Sequence, residues 1–418
     1  MSKKSSIKVP VEKLMVGFKV DLELPWSKHP FLFSKFKIRS QNDIKIIKRL
    51  GLKEVTVFPG QSDRKIALES QTEEKNDSEC IETITNAQWQ DKNSKLENAD
   101  KYRKKRHSIG KKYAEQAKKI QQISRQMKAE PANAIHETEE LVQNIATDFE
   151  MQRDLLTNLV NLGGGRHSLY NHFLNVTILS LMMAQAREIT GEDLRNLIRG
   201  ALLHDIGKVD IPSQILNKTT TLSKPEMAIY QKHPQYGRKL CELIGDVPKP
   251  VMEIIEKHHQ YLDGTGFPKP QKDHEIPELV RIVSIANIYD NLCNPNDSSQ
   301  AMTPKLALAT LYSKFKTKLD HQLVNNFISK VGIYPPGSVV QLNDESIGLV
   351  VSVDTNDMMN PEVLLYNPSI PPLQAIIINL QEHDDLKVVN VLEPGAYPKR
   401  VYEYLGIQKR IGFMYGDS

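Results

Sequence analysis

The stretch HHQYLDGTGFP, from His258 to Pro268, sets two histidines side by side directly after the apolar segment VMEII. Neighbouring residues on a helix point about 100° apart, so both rings cannot fill one narrow apolar stripe. Either one is solvated, or both line a cavity that takes imidazole nitrogen. Four further positions share this character: His172 in YNHFLNV, His204 and Asp205 in LLHDIGKVDIP, and His233 in YQKHPQYG. A lone histidine on an apolar face is ordinarily a hydrogen-bonded core residue. Five of them with a carboxylate are a different matter, because burying so many unpartnered imidazoles costs several kcal/mol. A shared divalent metal site meets their needs together. Imidazole and carboxylate without cysteine suit iron, manganese or zinc better than calcium. Asp205 is short and offers two oxygens, so it can bridge two ions roughly 3.5–4 Å apart, where a held water loses its proton near neutral pH and becomes a nucleophile. Lys208, one turn past His204, adds a positive charge suited to a substrate phosphate.

These residues need a scaffold, and the chain's patterns predict one that is mainly α. From about residue 112 to 330 nearly every segment has helical periodicity. LYNHFLNVTILSLMMAQA puts Leu169, His172, Val176, Leu179 and Met183 on one stripe, and LRNLIRGALLHDIG groups Leu194, Leu197, Ile198 and Ala201 before Gly207 ends it. Residues 7–58 alternate short strand-like runs with one helical stretch, NDIKIIKRLG, which predicts a small α+β domain over 1–65. The polar composition that follows predicts a flexible linker over 66–111, ending in the basic run KYRKKRHSIGKK, read as a solvated helix start. A helical catalytic domain is expected over 112–335. Beyond it, period-two runs and Gly/Asn/Asp turns predict a β-rich extension over 336–418, a small antiparallel sheet or barrel.

The bulk numbers narrow the class. A length of 418 residues predicts two to four domains, and 39% hydrophobic with 25% charged residues is ordinary for a folded soluble protein. A net charge of +4 names no nucleic-acid partner, so neither DNA nor RNA is expected. Cys80, Cys241 and Cys293 are widely separated, which fits a reducing cytoplasm and excludes a disulfide framework. No apolar run is long enough to span a bilayer.

The His-Asp pair of LLHDIGK and the later HHQYLDGTGFP resemble the signatures of the HD-GYP family, metal-dependent phosphodiesterases of the HD superfamily that hydrolyse bacterial cyclic di-GMP. The likeness runs from about Asn158 through YNHFLNV, HDIGKVDIPSQILNK, HPQYG and the double histidine to RIVSIANIYDNL and LVNNFISKVGIYPPGSVVQL. The first 60 residues, with LPWSKHPFLFSKFKI, are similar to the N-terminal domain often found ahead of this unit. The resemblance implies an all-helical HD-type bundle that holds two divalent ions. His172, His204, Asp205, His233, His258 and His259 map onto metal ligands, and Lys208 onto the lysine beside the phosphate. Asp205 and Lys208 become the catalytic pair, and Asp263, Gly264 and Gly266 the turn against the substrate, although DGTG alone reads as a helix-ending turn. The implied reaction is hydrolysis of cyclic di-GMP to linear pGpG or GMP in the cytoplasm, with signalling-protein partners and oligomerisation both open.

The chain departs from the family pattern in several places. Asn287, in SIANIYDN, stands where the family has a metal-binding aspartate, leaving Asp205 as the only firm anionic ligand; Asp290, one turn on, is a substitute or a supporting residue. Phe267 replaces the Gly-Tyr-Pro tyrosine, and Gln260 a glutamate. NPNDSSQAMTP replaces an arginine-bearing segment, and Ser168 stands where members with a third metal carry glutamate. Three readings stay open: a working cyclic di-GMP phosphodiesterase, a degenerate member that binds cyclic di-GMP or a partner protein without turnover, and a hydrolase of another phosphoester.

Overall fold

The computed structural model describes residues 6–62, 78–151 and 169–406, with short breaks at 219, 270–274, 296, 298–299, 355, 384 and 394–395. Asn158 and Ser168 lie outside the described residues. By internal contacts the chain divides into two units, Met1–Lys101 with Asn367–Ile377 and Tyr102–Tyr366 with Ile378–Ser418.

In the first unit, β1 (Ile7–Pro10), β2 (Lys19–Asp21), β3 (Lys35–Lys37) and β4 (Glu54–Val57) form a sheet of order β1-β4-β2-β3. The expected helix is α1 (Gln41–Arg49), and local chemistry fixes its start. Ser40 Oγ accepts from the Asp43 amide while the Asp43 carboxylate accepts from the Ser40 amide, satisfying amides that have no partner inside the helix. Ile44, Ile46 and Ile47 then meet Val20, Leu22, Val55 and Val57 in the core.

The linker expectation is corrected by α2 (Ser78–Ala129), a 52-residue helix that occupies most of the polar run and contributes to both units. Polar composition hid its periodicity. Lys92, Ala99, Tyr113, Ile120 and Met127 are buried at multiples of seven, a seam too narrow to raise the average hydrophobicity. One of its members is a lysine, held in the first unit by Nζ donation to the Trp26 carbonyl at 2.6 Å and the His29 carbonyl at 2.8 Å, with the Trp26 ring beneath it. The basic run is helix interior. Arg106 donates to the carbonyls of Leu405 and Gly406.

The second unit is a helical bundle with a sheet. After α3 (Pro131–Met151), α4 (Leu169–Ala186) forms its axis, and residues 172 to 184 are all buried. The single stripe read from its sequence therefore understates it: this helix is covered on every side. The helices that follow are α5 (Gly191–Leu203), α6 (Ser213–Leu216), α7 (Lys224–Tyr230), α8 (His233–Ile244), α9 (Lys249–Lys257), α10 (Glu278–Cys293), α11 (Pro304–Lys314) and α12 (His321–Val331), of which α5, α10 and α12 pack against α4. Then β5 (Val339–Leu342), β6 (Ile347–Asp354), β7 (Asp357–Leu365), β8 (Ile377–Asn379) and β9 (Val388–Val391) make a sheet of order β8-β7-β6-β5-β9 before α13 (Lys399–Tyr404). Among the described residues no helix is long and apolar enough to cross a membrane.

Candidate metal centre

Four helix ends and one helix face converge here. α5 stops at Leu203, and His204 and Asp205 follow before a short 3-10 turn, Ile206–Asp210. Gly207 in that turn lets the chain press against the start of α8: a Cβ there would lie 2.0 Å from the His233 carbonyl oxygen and 2.3 Å from the Gly237 nitrogen. That contact seats His233, the first residue of α8, beside Asp205. α9 ends at Lys257, so the double histidine sits just past its last turn, where adjacent rings can diverge. The His258 and His259 centroids are 4.2 Å apart with planes at 47°. His172 comes from the first turns of α4.

Asp205 is the hub. Its Oδ2 lies 3.5 Å from His172 Nε2 and 3.3 Å from His204 Nε2, and its Oδ1 lies 3.0 Å from His233 Nε2 and 3.6 Å from His258 Nε2. Candidate ligand atoms fall into two sets that share this residue: His172, His204 and Asp205, and Asp205, His233, His258 and His259. Within each set they lie within 4.8 Å of one another. The far side of each ring fixes its tautomer. Nδ1 of His204 faces the Ala201 carbonyl at 2.8 Å, that of His233 the Tyr230 carbonyl at 2.7 Å, and that of His258 the Ile255 carbonyl at 3.0 Å. A carbonyl only accepts, so Nδ1 carries the proton and Nε2 presents a lone pair toward Asp205, the arrangement of metal-binding histidines.

The electrostatics agree. Burial lowers the pKa values of His204, His233 and His258, and that of His259 falls furthest, under burial and then the nearby His258 and His233. These rings are neutral at neutral pH. His172 moves upward, because Asp205 and Asp290 outweigh its burial. Burial would raise the pKa of Asp205, but Lys208, His204 and His172 hold it well below the carboxylate range. Yet both Asp205 oxygens are buried without an aligned hydrogen-bond donor, although Lys208 Nζ stands 2.5 Å from Oδ2. A buried carboxylate met by one ammonium and otherwise by imidazole nitrogens, three of them on neutral rings, has the donor set a divalent cation satisfies.

The sequence model of the HD domain (HD_5) matches residues 150–323, and that of a domain of unknown function (DUF3391) matches residues 6–138. Residues 150–323 thus carry an HD domain. It is similar to cyclic di-GMP phosphodiesterase PA4108 of Pseudomonas aeruginosa, at 29% identity over 229 residues that cover 54% of this chain and 55% of that one. It is also similar to 3'3'-cGAMP-specific phosphodiesterase 3 of Vibrio cholerae, at 32% identity over 149 residues, 36% of this chain and 32% of that one. Among solved structures it is similar to Bd1817, a HDG"Y"P protein from Bdellovibrio bacteriovorus, with a TM-score of 0.46, 17% identity, and coverage of 77% of this chain and 98% of that one. The chain spans about half the length of the first curated relatives it matches.

In this HD domain the remaining expected residues have distinct places. Lys208 is buried; its pKa is raised because Asp205 outweighs the burial, and its Nζ lies 5.3 Å from the Tyr230 ring centroid. Asn287 is buried on α10. Its Oδ1 accepts from Asn291 Nδ2 at 2.7 Å, and its own Nδ2 has no partner. Asp290 is a supporting residue and not a substitute ligand: Oδ2 faces His172 Nδ1 at 2.6 Å, while Oδ1 accepts from Asn175 and Asn294, each at 2.8 Å. In the DGTG turn, Asp263 Oδ1 accepts from the Thr265 amide and hydroxyl, which makes it a local turn former. Gly264 (φ +76°) has open space around it, whereas at Gly266 (φ +97°) a Cβ would lie 2.1 Å from the His259 carbonyl oxygen. The turn thus braces the double histidine. Phe267 stacks on His259 at 4.3 Å, and Gln260 Nε2 donates to the Pro268 carbonyl. Sequence reasoning missed Ser284, which donates to the His258 carbonyl at 2.8 Å, and Asn175. Each stands three residues from a recognised position, Asn287 and His172, and that helical spacing was the available signal.

Proposed function

We propose that the chain is a metal-dependent phosphodiesterase that hydrolyses cyclic di-GMP to pGpG or GMP in bacterial second-messenger signalling, and that it works in the cytoplasm. The observation that carries this reading is Asp205: a buried, ionised carboxylate whose two oxygens lack aligned donors while four imidazole nitrogens face it. Two divalent ions fit this set, iron or manganese first and zinc as an alternative. His172, His204, Asp205 and Asn287 would hold one, and Asp205, His233, His258 and His259 the other. Such ions supply Lewis acidity to a phosphoryl oxygen and an activated water. The chain's own residues do the rest. Asp205 joins the two halves of the site, and Lys208 meets charge developing on the phosphate. The Asp263–Gly266 turn, with Gly264 and Gly266, forms a wall of the substrate site, because it leans on His259. Asn287 contributes its carbonyl oxygen once the amide turns over; its orphaned nitrogen supports this, since oxygen and nitrogen positions in an amide follow from the surrounding bonds.

One observation favours a second reading, a cyclic di-GMP receptor without turnover: the Asn287 oxygen already serves Asn291, and Asn287 adds no charge. A single experiment separates these readings. The purified protein is analysed for iron, manganese and zinc, then assayed for binding and hydrolysis of cyclic di-GMP and 3'3'-cGAMP. Hydrolysis of cyclic di-GMP supports the proposal. Binding with full metal but no turnover selects the receptor, and turnover of 3'3'-cGAMP alone moves the substrate. A protein that takes up no divalent ion ends all three.

A further inference from the structure

A chain of buried hydrogen bonds leads from α2 to one of the histidines. The Tyr113 hydroxyl donates to Asn175 Oδ1 at 3.0 Å, Asn175 Nδ2 donates to Asp290 Oδ1 at 2.8 Å, and Asp290 Oδ2 meets His172 Nδ1 at 2.6 Å. All four residues are buried. The direction of the chain follows from its bonds. The Asn175 amide turns its nitrogen to Asp290 and its oxygen to the phenol. Tyr113 must then donate, and His172 must carry its proton on Nδ1. The end of the chain is His172, with Nδ1 against Asp290 and Nε2 facing Asp205 at 3.5 Å.

We propose that Tyr113 is a positioning residue for His172. The segment matched to the domain of unknown function, residues 6–138, then completes the ligand support of the HD domain matched at 150–323. This inference rests on the metal-site reading of the proposed function. Without the phenol, the Asn175 oxygen is buried and unpartnered, its amide loses its fixed orientation, and Asp290 loses a donor held in place. His172 keeps its carboxylate, but that carboxylate is no longer anchored on both sides. Tyr113 touches neither substrate nor ion; its hydroxyl acts through Asn175 and Asp290, with a longer 3.4 Å contact to the Asn171 carbonyl beside it. Removing partners of metal-bound histidines typically weakens metal binding about 10- to 100-fold; one link further out, a loss of roughly 3- to 10-fold is expected.

The test uses the full chain stripped with a chelator and titrated with Mn2+ and with Zn2+ alone. Tyr113→Phe removes one oxygen and keeps the ring. It should weaken one of the two binding steps roughly 3- to 10-fold and leave the other unchanged. Thr138→Val serves as the comparison, since it removes a buried hydroxyl on α3 that bonds only the Ala134 carbonyl of its own helix; it should lower the melting temperature without moving either metal step. In a double-mutant cycle, Tyr113→Phe should add almost nothing once Asn175→Ala has cut the chain. Should Tyr113→Phe fail to fold, Asn175→Ala carries the same expectation for the selective step. Tyr113→Phe with unchanged metal steps, or effects that add in the cycle, would overturn the inference. A wild-type chain that binds no ion would instead overturn the metal-site reading beneath it.

Discussion

Gly207→Ala is the most direct perturbation of the site that changes no proposed ligand side chain. The added Cβ would stand 2.0 Å from the His233 carbonyl oxygen and 2.3 Å from the Gly237 nitrogen, where ordinary carbon contacts begin near 3.4 Å. Both obstacles are backbone, so no side chain can swing aside. The turn carrying His204 and Asp205 must move away from α8 by about 1 Å or more, and α8 carries His233. That opens the 3.0 Å approach of Asp205 Oδ1 to His233 Nε2. Overpacking of this kind costs about 1–3 kcal/mol, a fall of roughly 2 to 12 °C in the melting temperature of a unit this size. Loss of ligand alignment should weaken metal binding about tenfold or more. Thermal melts of the chelator-stripped protein and titration with Mn2+ measure the two effects separately. Gly110→Ala is the control: it lies inside α2 with nothing within 4 Å of its Cβ, and should be neutral or stabilising by up to about 1 kcal/mol. If Gly207→Ala keeps wild-type melting and wild-type metal affinity, close contact between the turn and α8 does not seat the site.

Three further outcomes are expected. Asp205→Ala removes the carboxylate common to both ligand sets, so metal content after dialysis should fall to background; retained metal would refute its bridging role. Asn287→Asp adds a negative charge to the centre, which should raise metal content per chain and the stabilisation that metal confers, while the metal-free protein melts lower from repulsion with Asp205; unchanged values in all three would make the position irrelevant. Burial and then the Lys92 charge lower the pKa of His29 from 6.5 to about 4. A depressed folded-state value means the unfolded chain takes up the proton first, so this contribution is complete above pH 6.5 and is lost as pH falls toward 4, with an upper size of about 3 kcal/mol. Urea melts followed through Trp26 and Trp89 should show a smaller acid-induced drop in His29→Gln than in wild type, and equal drops would refute the assignment.

Much of this molecule was legible residue by residue. The isoleucine spacing of NDIKIIKRLG announced α1, and imidazoles with one aspartate announced the donor chemistry, because helical period and ligand type are properties of short segments. What failed was also physical. α2 read as a linker because its buried seam is narrow and includes Lys92, a residue whose burial depends on carbonyls some 60 positions away. Asp290 stood open between substitute ligand and support, since nothing local says where a carboxylate points.

The sequence alone determined which atoms were available: soft nitrogen donors, a single hub carboxylate, glycines where backbones must touch, and an asparagine in place of a charge. Only the tertiary structure decided how they are used. It set Nε2 of His172, His204, His233 and His258 toward Asp205, placed Asp290 behind His172 across 118 positions, and brought Tyr113 to the end of that line. The physical reason is range. Periodicity and capping act over a few residues, whereas the direction of a buried lone pair is set by whichever donor or acceptor the fold brings to the opposite side of the ring.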